Sequence, residues 1–211
     1  MTELVFILDR SGSMYGLEKD TIGGFNSMLE KQRGESGAAY VTTVLFDNRV
    51  EFLHDRLPLQ QVPPMTEQDY TVRGSTALLD AVGSTIRHIA RIHKYAHPDH
   101  KPTRTLFVII TDGMENASRE YTYDKVKQLI THEQEKYGWE FLFLGANIDA
   151  AAEGARFGIH ADRSVTYKSD AVGTALNYEV LSDAISDARA CRPMAADWSD
   201  RIKSDVKKRG K

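Results

Sequence analysis

The sequence predicts an α/β fold: a doubly wound, mainly parallel sheet of six strands, with one antiparallel edge strand and helices on both faces. Three observations predict it. Strand-like and helix-like segments alternate along the chain, as they do in parallel sheets covered by helices. Two strongly apolar segments, Leu4 to Leu8 and Thr105 to Thr111, have the composition of strands buried on both faces. The length of 211 residues fits one domain with a sizeable core.

The first strand is followed by a predicted helix and a predicted hairpin. The helix runs from Tyr15 to Arg33, because apolar residues recur there at three- and four-residue spacing. Gly23 and Gly24 in its middle each weaken it by roughly 1 kcal/mol relative to alanine. The β-branched and aromatic run from Ala38 to Asp47 predicts a strand, and a turn after it leads to a short return strand from Val50 to His54.

A long connection and a second helix come next. We expect Asp55 to Arg73 to be irregular, since it contains three prolines, and connections of this length are uncommon unless they are functional. Gly74-Ser75-Thr76 opens the following helix. The buried stripe of that helix is predicted to consist of Leu78, Leu79, Val82, Ile86 and Ile89.

The second half of the chain continues the alternation after the strand from Thr105 to Thr111. Its predicted elements are a helix from Tyr123 to Tyr137, a strand from Trp139 to Leu144, a helix from Ala150 to Phe157 capped by Asp149, a strand from Ser164 to Tyr167, and a helix that starts at Ser169 or Asp170 and ends near Ala190. The last helix is predicted to turn five side chains inward: Val172, Leu176, Val180, Leu181 and Ile185.

We divide the chain into a domain at residues 1–191 and a basic tail at residues 192–211. The tail carries seven lysines and arginines against three aspartates, although the whole chain has a net charge of -3. Trp198, Ile202 and Val206 recur every four residues and predict an apolar stripe on a short amphipathic helix. Two interpretations stay open: Trp198 folds back onto the domain, or the tail docks a partner or an acidic surface.

Composition restricts the class of protein. The net charge of -3 gives no reason to expect nucleic-acid binding, and no apolar run approaches the roughly 18 residues of a membrane span. One cysteine, Cys191, rules out an internal disulfide framework and suits a reducing compartment. The short acidic segment before the first strand does not resemble a secretion signal, so we expect a cytoplasmic protein.

Oxygen-bearing side chains follow the two most hydrophobic strands. Asp9, Ser11 and Ser13 come directly after the first, Asp112 comes after the second, and Thr76 lies at a helix amino terminus. In a doubly wound sheet, two central strands whose crossovers run in opposite directions create a crevice at their carboxyl ends. Carboxylate and hydroxyl oxygens, without a thiol or imidazole, are the ligands that hard divalent cations prefer. The sequence therefore predicts a Mg²⁺ site in this crevice.

These residues also carry a resemblance to a known family. Asp9-Arg10-Ser11-Gly12-Ser13 resembles the Asp-x-Ser-x-Ser signature of von Willebrand factor type A (vWA) domains. Thr76 resembles the separate threonine of that family, and Asp112, within Thr111-Asp112-Gly113, resembles its final aspartate. The motifs occur in the order of the family, over residues 2 to 190. The resemblance implies a Rossmann-like vWA fold with a complete metal-ion-dependent adhesion site (MIDAS), in a stand-alone protein of bacterial or phage type.

The resemblance also implies a function. In vWA domains the serines and the threonine contact the cation directly, the aspartates often act through water, and an open position accepts an Asp or Glu carboxylate from a partner protein. The implied ligands here are Asp9, Ser11, Ser13, Thr76 and Asp112, with Mg²⁺ as the cation and Mn²⁺ or Ca²⁺ as alternatives. We expect a non-enzymatic adaptor in a multiprotein system. Its oligomeric state is not predicted.

The rim of the site is less determined by the sequence. Residues 55–73 and those after Asp112 are candidates for setting partner specificity. Glu115 either contributes to this rim or repels an acidic partner.

Other interpretations of the same residues stay open. Asp, Ser and Thr at these positions often only cap helices. A phosphatase-like enzyme would use Asp9 as a nucleophile, but it usually needs a second carboxylate where this chain has Ser11. A third possibility is a structural subunit with a vestigial metal site. His93 and His97 have the spacing of a helical zinc site, although a solvated helix end is the simpler explanation.

Overall fold

The computed structural model describes residues 1–210. They form one six-stranded sheet in the order β3-β2-β1-β4-β5-β6, with β3 antiparallel, and helices cover both faces. The predicted fold class is therefore confirmed. The strands are β1 (Thr2–Asp9), β2 (Ala39–Phe46), β3 (Val50–Pro58), β4 (Arg104–Thr111), β5 (Glu140–Ala146) and β6 (Ser164–Tyr167). The helices are α1 (Glu18–Arg33), α2 (Leu78–Tyr95), α3 (Tyr123–Tyr137), α4 (Ala150–Phe157), α5 (Ala171–Arg189) and α6 (Asp200–Arg209).

The two most hydrophobic strands, β1 and β4, lie side by side at the centre of the sheet. Their parallel register pairs Leu8 with Ile110, so both strands end at the same level. The chain leaves β1 through α1 toward β2 on one side, and leaves β4 through α3 toward β5 on the other. This arrangement is the switch point that the sequence predicts, and it opens a crevice after Asp9 and Thr111.

The sheet separates two hydrophobic clusters. Alternate residues of β1 point to opposite faces, so Phe6 lies in the cluster under α1 and α5, and Val5 lies in the cluster under α2 and α3. Phe25 of α1 packs edge-on against Phe6, with 5.3 Å between the ring centroids. Tyr178 of α5 packs edge-on against Phe25 in turn. Because both faces are buried, the middle of each strand is apolar at every position, from Leu4 to Leu8 in β1 and from Leu106 to Ile110 in β4.

Two helices begin later than predicted. Gly12–Met14 form a 3-10 turn and Gly16 has a φ of 88°, so α1 begins at Glu18 rather than Tyr15. Residues 74–77 are not helical, so α2 begins at Leu78. In both places the residues before the helix are held as loop by contacts of the candidate site, described below.

The long connection is shorter than predicted, because β3 continues to Pro58 and a 3-10 turn follows at Leu59–Gln61. Leu59, Val62, Met65 and Tyr70 from this region are buried in the core. The inward face of α5 was predicted correctly at Val180, Leu181 and Ile185, but Val172 is exposed.

The tail packs against the domain through α6. The Trp198 indole is buried and donates a hydrogen bond to the carbonyl oxygen of Asp162 at 2.7 Å. Ile202 is buried as well, and α6 contacts β6 and α5. Of the predicted tail, Lys211 lies outside the described residues. No helix within residues 1–210 is long and apolar enough to cross a membrane.

The adjacent glycines of α1 give a matched stability test. A Cβ at Gly23 would meet no atom within 4 Å, so Gly23→Ala should raise the free energy of unfolding by about 1 kcal/mol through helix propensity alone. A Cβ at Gly24 would lie 2.3 Å from the Tyr178 ring, so Gly24→Ala should lower it by about 1–3 kcal/mol. Urea unfolding measures both variants, and equal effects would contradict the packing described for α1 and α5.

Candidate metal centre

All five residues predicted as metal ligands meet at the carboxyl ends of β1 and β4. A chain of hydrogen bonds joins four of them. Thr76 Oγ1 donates to Ser11 Oγ at 3.0 Å, the Ser11 and Ser13 hydroxyl oxygens are 3.1 Å apart, and Ser13 Oγ donates to Asp112 Oδ1. Asp9 joins through Ser11, whose backbone N–H donates to Asp9 Oδ1 at 2.7 Å. The structure thus brings together residues that are a hundred positions apart in sequence.

Glycine backbone makes this close approach possible. The Gly12 N–H donates to the Gly74 carbonyl oxygen at 3.1 Å, which ties the Ser11–Ser13 turn to the loop that carries Thr76. A Cβ at Gly113 would lie 3.0 Å from Thr76 Oγ1 and 3.3 Å from Ser13 Oγ. The space between these hydroxyls therefore depends on the absence of a side chain at Gly113.

Four further residues position the site, and the sequence analysis did not assign them this role. Thr111 Oγ1 donates to Asp9 Oδ2 at 2.6 Å, and Ser169 Oγ donates to Asp112 Oδ2 at 3.3 Å. The Thr76 N–H donates to Asn116 Oδ1 at 2.9 Å, and the Tyr70 hydroxyl donates to the Asp9 carbonyl oxygen. Thr111 and Asn116 flank the second aspartate in sequence, which was the available signal. No sequence pattern around Ser169 or Tyr70 predicts that their side chains contact Asp112 and Asp9.

Glu115 is neither a free rim residue nor a free negative charge. Its carboxylate accepts hydrogen bonds from the backbone N–H groups of Leu79, Ala117 and Ser118 at 2.8–2.9 Å, and from the Ser118 hydroxyl at 2.7 Å. Glu115 therefore caps the amino end of α2, three positions after Asp112. This capping leaves the site without an additional uncommitted carboxylate from this loop.

Arg10, between two of the predicted ligands, points away from the site. Its side chain is 2% exposed and forms ion pairs with Asp47 at 3.0 Å and with Glu51 at 2.6 Å. Arg73 binds the same Asp47 oxygen at 2.8 Å, and its N–H donates to the Arg10 carbonyl oxygen at 2.9 Å. The buried Asp47 carboxylate thus fixes both Arg10 and the end of the long connection beside the site.

The two aspartates of the site differ from Asp47 because they have no cationic partner. Burial raises the pKa of Asp9 from 3.8 to about 6, with the charge of Asp112 adding to the effect against the hydrogen bonds from Thr111 and Ser11. Burial also raises the pKa of Asp112. Burial opposes ionisation of Asp47 too, but Arg73 and Arg10 hold its pKa below the usual value. Within residues 1–210, neither Asp9 nor Asp112 forms an ion pair.

The residues present fit a hard divalent cation. Two carboxylates and three hydroxyls lie in one network of hydrogen bonds, and no imidazole or thiol takes part in it. A cation placed there would compensate the buried charge that the chain itself leaves unpaired. Hydroxyls in a helix-cap role would instead bond to backbone N–H groups, whereas these three bond to one another or to Asp112.

The histidine pair does not form a metal site. His93 Nε2 lies 3.3 Å from Glu3 Oε2, whereas His97 Nδ1 is paired with Asp99 at 3.4 Å on an exposed turn. Across residues 1–210, no group of three His, Cys, Asp or Glu side chains is arranged to hold a metal ion. The simpler explanation of these histidines is therefore the better one.

Comparison with known proteins supports the fold. No protein-family model matches the sequence, and a search of curated proteins gave no match. Among solved structures, the chain resembles proximal thread matrix protein 1 from the mussel byssus with a zinc-occupied MIDAS motif, at 12% identity and a TM-score of 0.59 over 88% of this chain and 46% of that one. It resembles a von Willebrand factor type A protein from Catenulispora acidiphila at 15% identity and a TM-score of 0.55, over 87% and 42%.

A third similar structure is manganese-loaded TRAP protein from Plasmodium vivax, at 13% identity and a TM-score of 0.56 over 83% of this chain and 72% of that one. The chain spans less than half the length of the mussel and Catenulispora proteins. At these identities the similarities show the fold alone, and that fold is the one found in vWA domains.

The raised pKa of Asp9 predicts how stability depends on pH when no divalent metal is bound. Folding raises this pKa, so the contribution of Asp9 is fully present below pH 3.8 and is lost as the pH rises through about 6. A shift of this size is worth about 3 kcal/mol. In chelator, wild type should therefore gain stability relative to Asp9→Asn between about pH 7 and about pH 4 in urea unfolding. Parallel pH profiles of the two proteins would contradict the assignment of Asp9 as an unpaired buried carboxylate.

Proposed function

We propose that this chain is a metal-dependent protein-binding domain. In this proposal a divalent cation, Mg²⁺ under physiological conditions, is held by Asp9, Ser11, Ser13, Thr76 and Asp112, and it recognises an Asp or Glu carboxylate of a partner protein. The observation that carries the proposal is the pair of buried carboxylates without an ion pair, joined to three hydroxyls at the switch point of the sheet.

The charge balance of the site explains why an acidic partner would be accepted. A bound divalent cation supplies a Lewis-acidic position that attracts oxygen anions. The two carboxylates of the site match its charge, and the three hydroxyls add ligand oxygens without adding negative charge. Because Glu115 is committed to capping α2, it does not act as a further free anion in this loop. A partner carboxylate then completes the coordination and brings the charge-assisted part of the affinity.

Residues outside the ligand set hold these oxygens in place. Thr111 and the Ser11 N–H fix both oxygens of Asp9, and Ser169 contacts the oxygen of Asp112 that Ser13 leaves free. Asn116 fixes the backbone of Thr76. Such pre-organisation reduces the entropy lost when a ligand binds.

Residues at the rim would set which partner is recognised. Tyr15, Met114 and Val172 are large exposed apolar side chains, and each follows a residue of the site by two or three positions. Leu59, Val62, Met65 and Tyr70 of the 55–73 connection are buried, so these four side chains would not contact a partner. We further propose that the protein is a cytoplasmic adaptor of bacterial or phage type, which accords with its single cysteine.

The alternatives have less support. A phosphatase-like enzyme would need an acid–base carboxylate near Asp9, but the position two residues after it is Ser11, whose hydroxyl is bonded to Thr76 and lies against Ser13. A vestigial site would retain the fold without requiring metal. The experiments below distinguish it from the proposed function.

Metal binding is tested by calorimetric titration with Mg²⁺ and Mn²⁺. We expect binding by wild type and a loss of at least about tenfold in affinity for Ser13→Ala and for Thr76→Ala, because each removes one ligand oxygen and leaves the hydrophobic core intact. Ser27→Ala, an exposed hydroxyl on α1, serves as the matched control and should bind as wild type does. Circular dichroism checks that each variant is folded. Unchanged affinity in both site variants would refute the ligand assignment.

Partner recognition is tested by capture from the native cell. Proteins retained by the immobilised chain in Mg²⁺ should be released by chelator and should not bind Thr76→Ala, while Ser27→Ala retains them. Substituting the acidic residues of a captured partner by amides then identifies the carboxylate that is recognised. Retention that is insensitive to chelator would favour the vestigial alternative, even if calorimetry shows metal binding.

A further inference from the structure

A second candidate site lies at the opposite end of the sheet from the metal centre. A cavity of about 720 Å³, which we name the basal cavity, opens beside the amino-terminal ends of β4 and β5 and the carboxyl ends of α2 and α3. Its volume is in the range of small-molecule sites, about 300–1,000 Å³. Its lining includes Arg91, His93, Lys94, Tyr95, Lys101, Arg104, His132, Glu133, Tyr137 and Trp139.

The basal cavity is strongly positive in a chain whose net charge is -3. Four of its lining residues are lysines or arginines, and only Glu133 is acidic. Arg104 is paired with Glu140 at 3.0 Å, but Arg91, Lys94 and Lys101 form no ion pair within residues 1–210. Three cations without a carboxylate partner around one opening attract a ligand that carries a compact negative group such as a phosphate.

Aromatic side chains line the same cavity. Tyr95 is the last residue of α2 and is 74% exposed; Tyr137 is the last residue of α3 and is 58% exposed. Trp139 forms part of the wall and is held by stacking on Phe107 and by the edge of His93. A lysine ammonium lies over each of the two tyrosine rings, Lys94 5.4 Å from the centroid of Tyr95 and Lys136 5.2 Å from that of Tyr137. Both rings are largely exposed and can stack with a planar base.

The basal cavity also contains an unsatisfied polar group. Glu133 is 5% exposed, and its Oε2 has no hydrogen-bond partner among residues 1–210. Buried polar atoms are nearly always hydrogen-bonded, so this carboxyl oxygen in the cavity wall is an acceptor available to a ligand group. Burial raises the pKa of this carboxyl, although His132, His93 and Lys136 oppose the effect. A carboxyl at this position can bind the N–H groups of a heterocycle.

We propose that the basal cavity binds a nucleoside phosphate, with the base stacked against Tyr95 or Tyr137, its polar edge bonded to Glu133, and the phosphate held by Lys94 and Lys101. The cations, the exposed tyrosine rings and the unpartnered Glu133 carboxyl line one cavity, and each matches a different part of such a ligand. Free nucleotides and the end of a single-stranded nucleic acid share this chemistry. The proposal is independent of the metal centre, which lies at the other edge of the sheet.

The test is calorimetric titration of the full chain with AMP in the presence of chelator, so that phosphate cannot bind through a metal ion. We expect a dissociation constant below about 1 mM. The double variant Lys94→Gln/Lys101→Gln should weaken AMP binding at least about fivefold while changing adenosine binding less than about twofold, since the lysines contact only the phosphate. Tyr137→Ser with Tyr95→Ser should weaken both ligands by about fivefold or more.

Matched controls come from the opposite end of the molecule. Lys19→Gln and Tyr15→Ser remove an exposed lysine and an exposed tyrosine near the metal centre, and both should bind AMP as wild type does. A short 5′-phosphorylated RNA oligonucleotide distinguishes the sources. Clearly tighter binding than AMP indicates a nucleic-acid end, and equal or weaker binding indicates a free nucleotide. Absence of AMP binding at millimolar concentration, or AMP binding that both cavity variants leave unchanged, would overturn the proposal.

Discussion

The organisation of this molecule depends on one buried carboxylate, that of Asp9. It is 1% exposed, it ends the central strand β1, and it is bonded to Thr111 at the end of the neighbouring strand β4. The arginine next in sequence does not neutralise it, because Arg10 is committed to Asp47 and Glu51. Adjacent residues of opposite charge are thereby separated into two environments. One is a satisfied ion-pair network, and the other is a crevice with negative charge left over.

The ion-pair network gives that crevice its shape. Asp47 follows β2, and its carboxylate binds both Arg10 and Arg73, while its carbonyl oxygen accepts the Ala77 N–H at 2.8 Å. One residue thus connects the first site loop, the end of the long connection and the segment beside Thr76. Removing one partner of a buried ion pair lowers the stability of the fold, because the other charge is left buried without compensation. The rigidity of the site therefore comes from residues outside the proposed ligand set.

The sequence predicted those parts of the fold that have local signals. The predicted bounds of α3, α4 and β6 match the structure. Both α3 and α4 begin at a capping side chain and end at a glycine with positive φ. The parts that depend on tertiary contacts were missed. β3 extends beyond its apolar stretch through pairing with β2, and Val172 follows the helical period without facing the core. The order of the motifs predicted that the five site residues would lie together. The contacts of Tyr70 and Ser169 with the site depend on tertiary structure and have no sequence signal.

The polarity of the parallel sheet explains why its two ends favour different ligands. Helix amino termini point toward the carboxyl edge of the strands, and their free N–H groups attract carboxylates. In this chain, carboxylates other than those of Asp9 and Asp112 bond to these N–H groups. Asp170 caps α5, Glu115 caps α2, and Glu18 accepts the Gly16 N–H before α1. The carboxylates of Asp9 and Asp112 therefore cap none of these three helices.

At the opposite edge the helices present their carboxyl ends, which favour nearby positive charge. Lys94 lies in the last turn of α2 and Lys136 in the last turn of α3, and Lys101 lies just before β4. Because the dipoles of α1 to α5 run the same way, charge complementary to one edge is repeated along these five helices. α6 runs in the opposite direction, since Arg209 at its carboxyl end pairs with Asp170, the cap of α5. An oxygen-rich crevice at one edge and a cation-rich cavity at the other are thus two consequences of a single parallel topology.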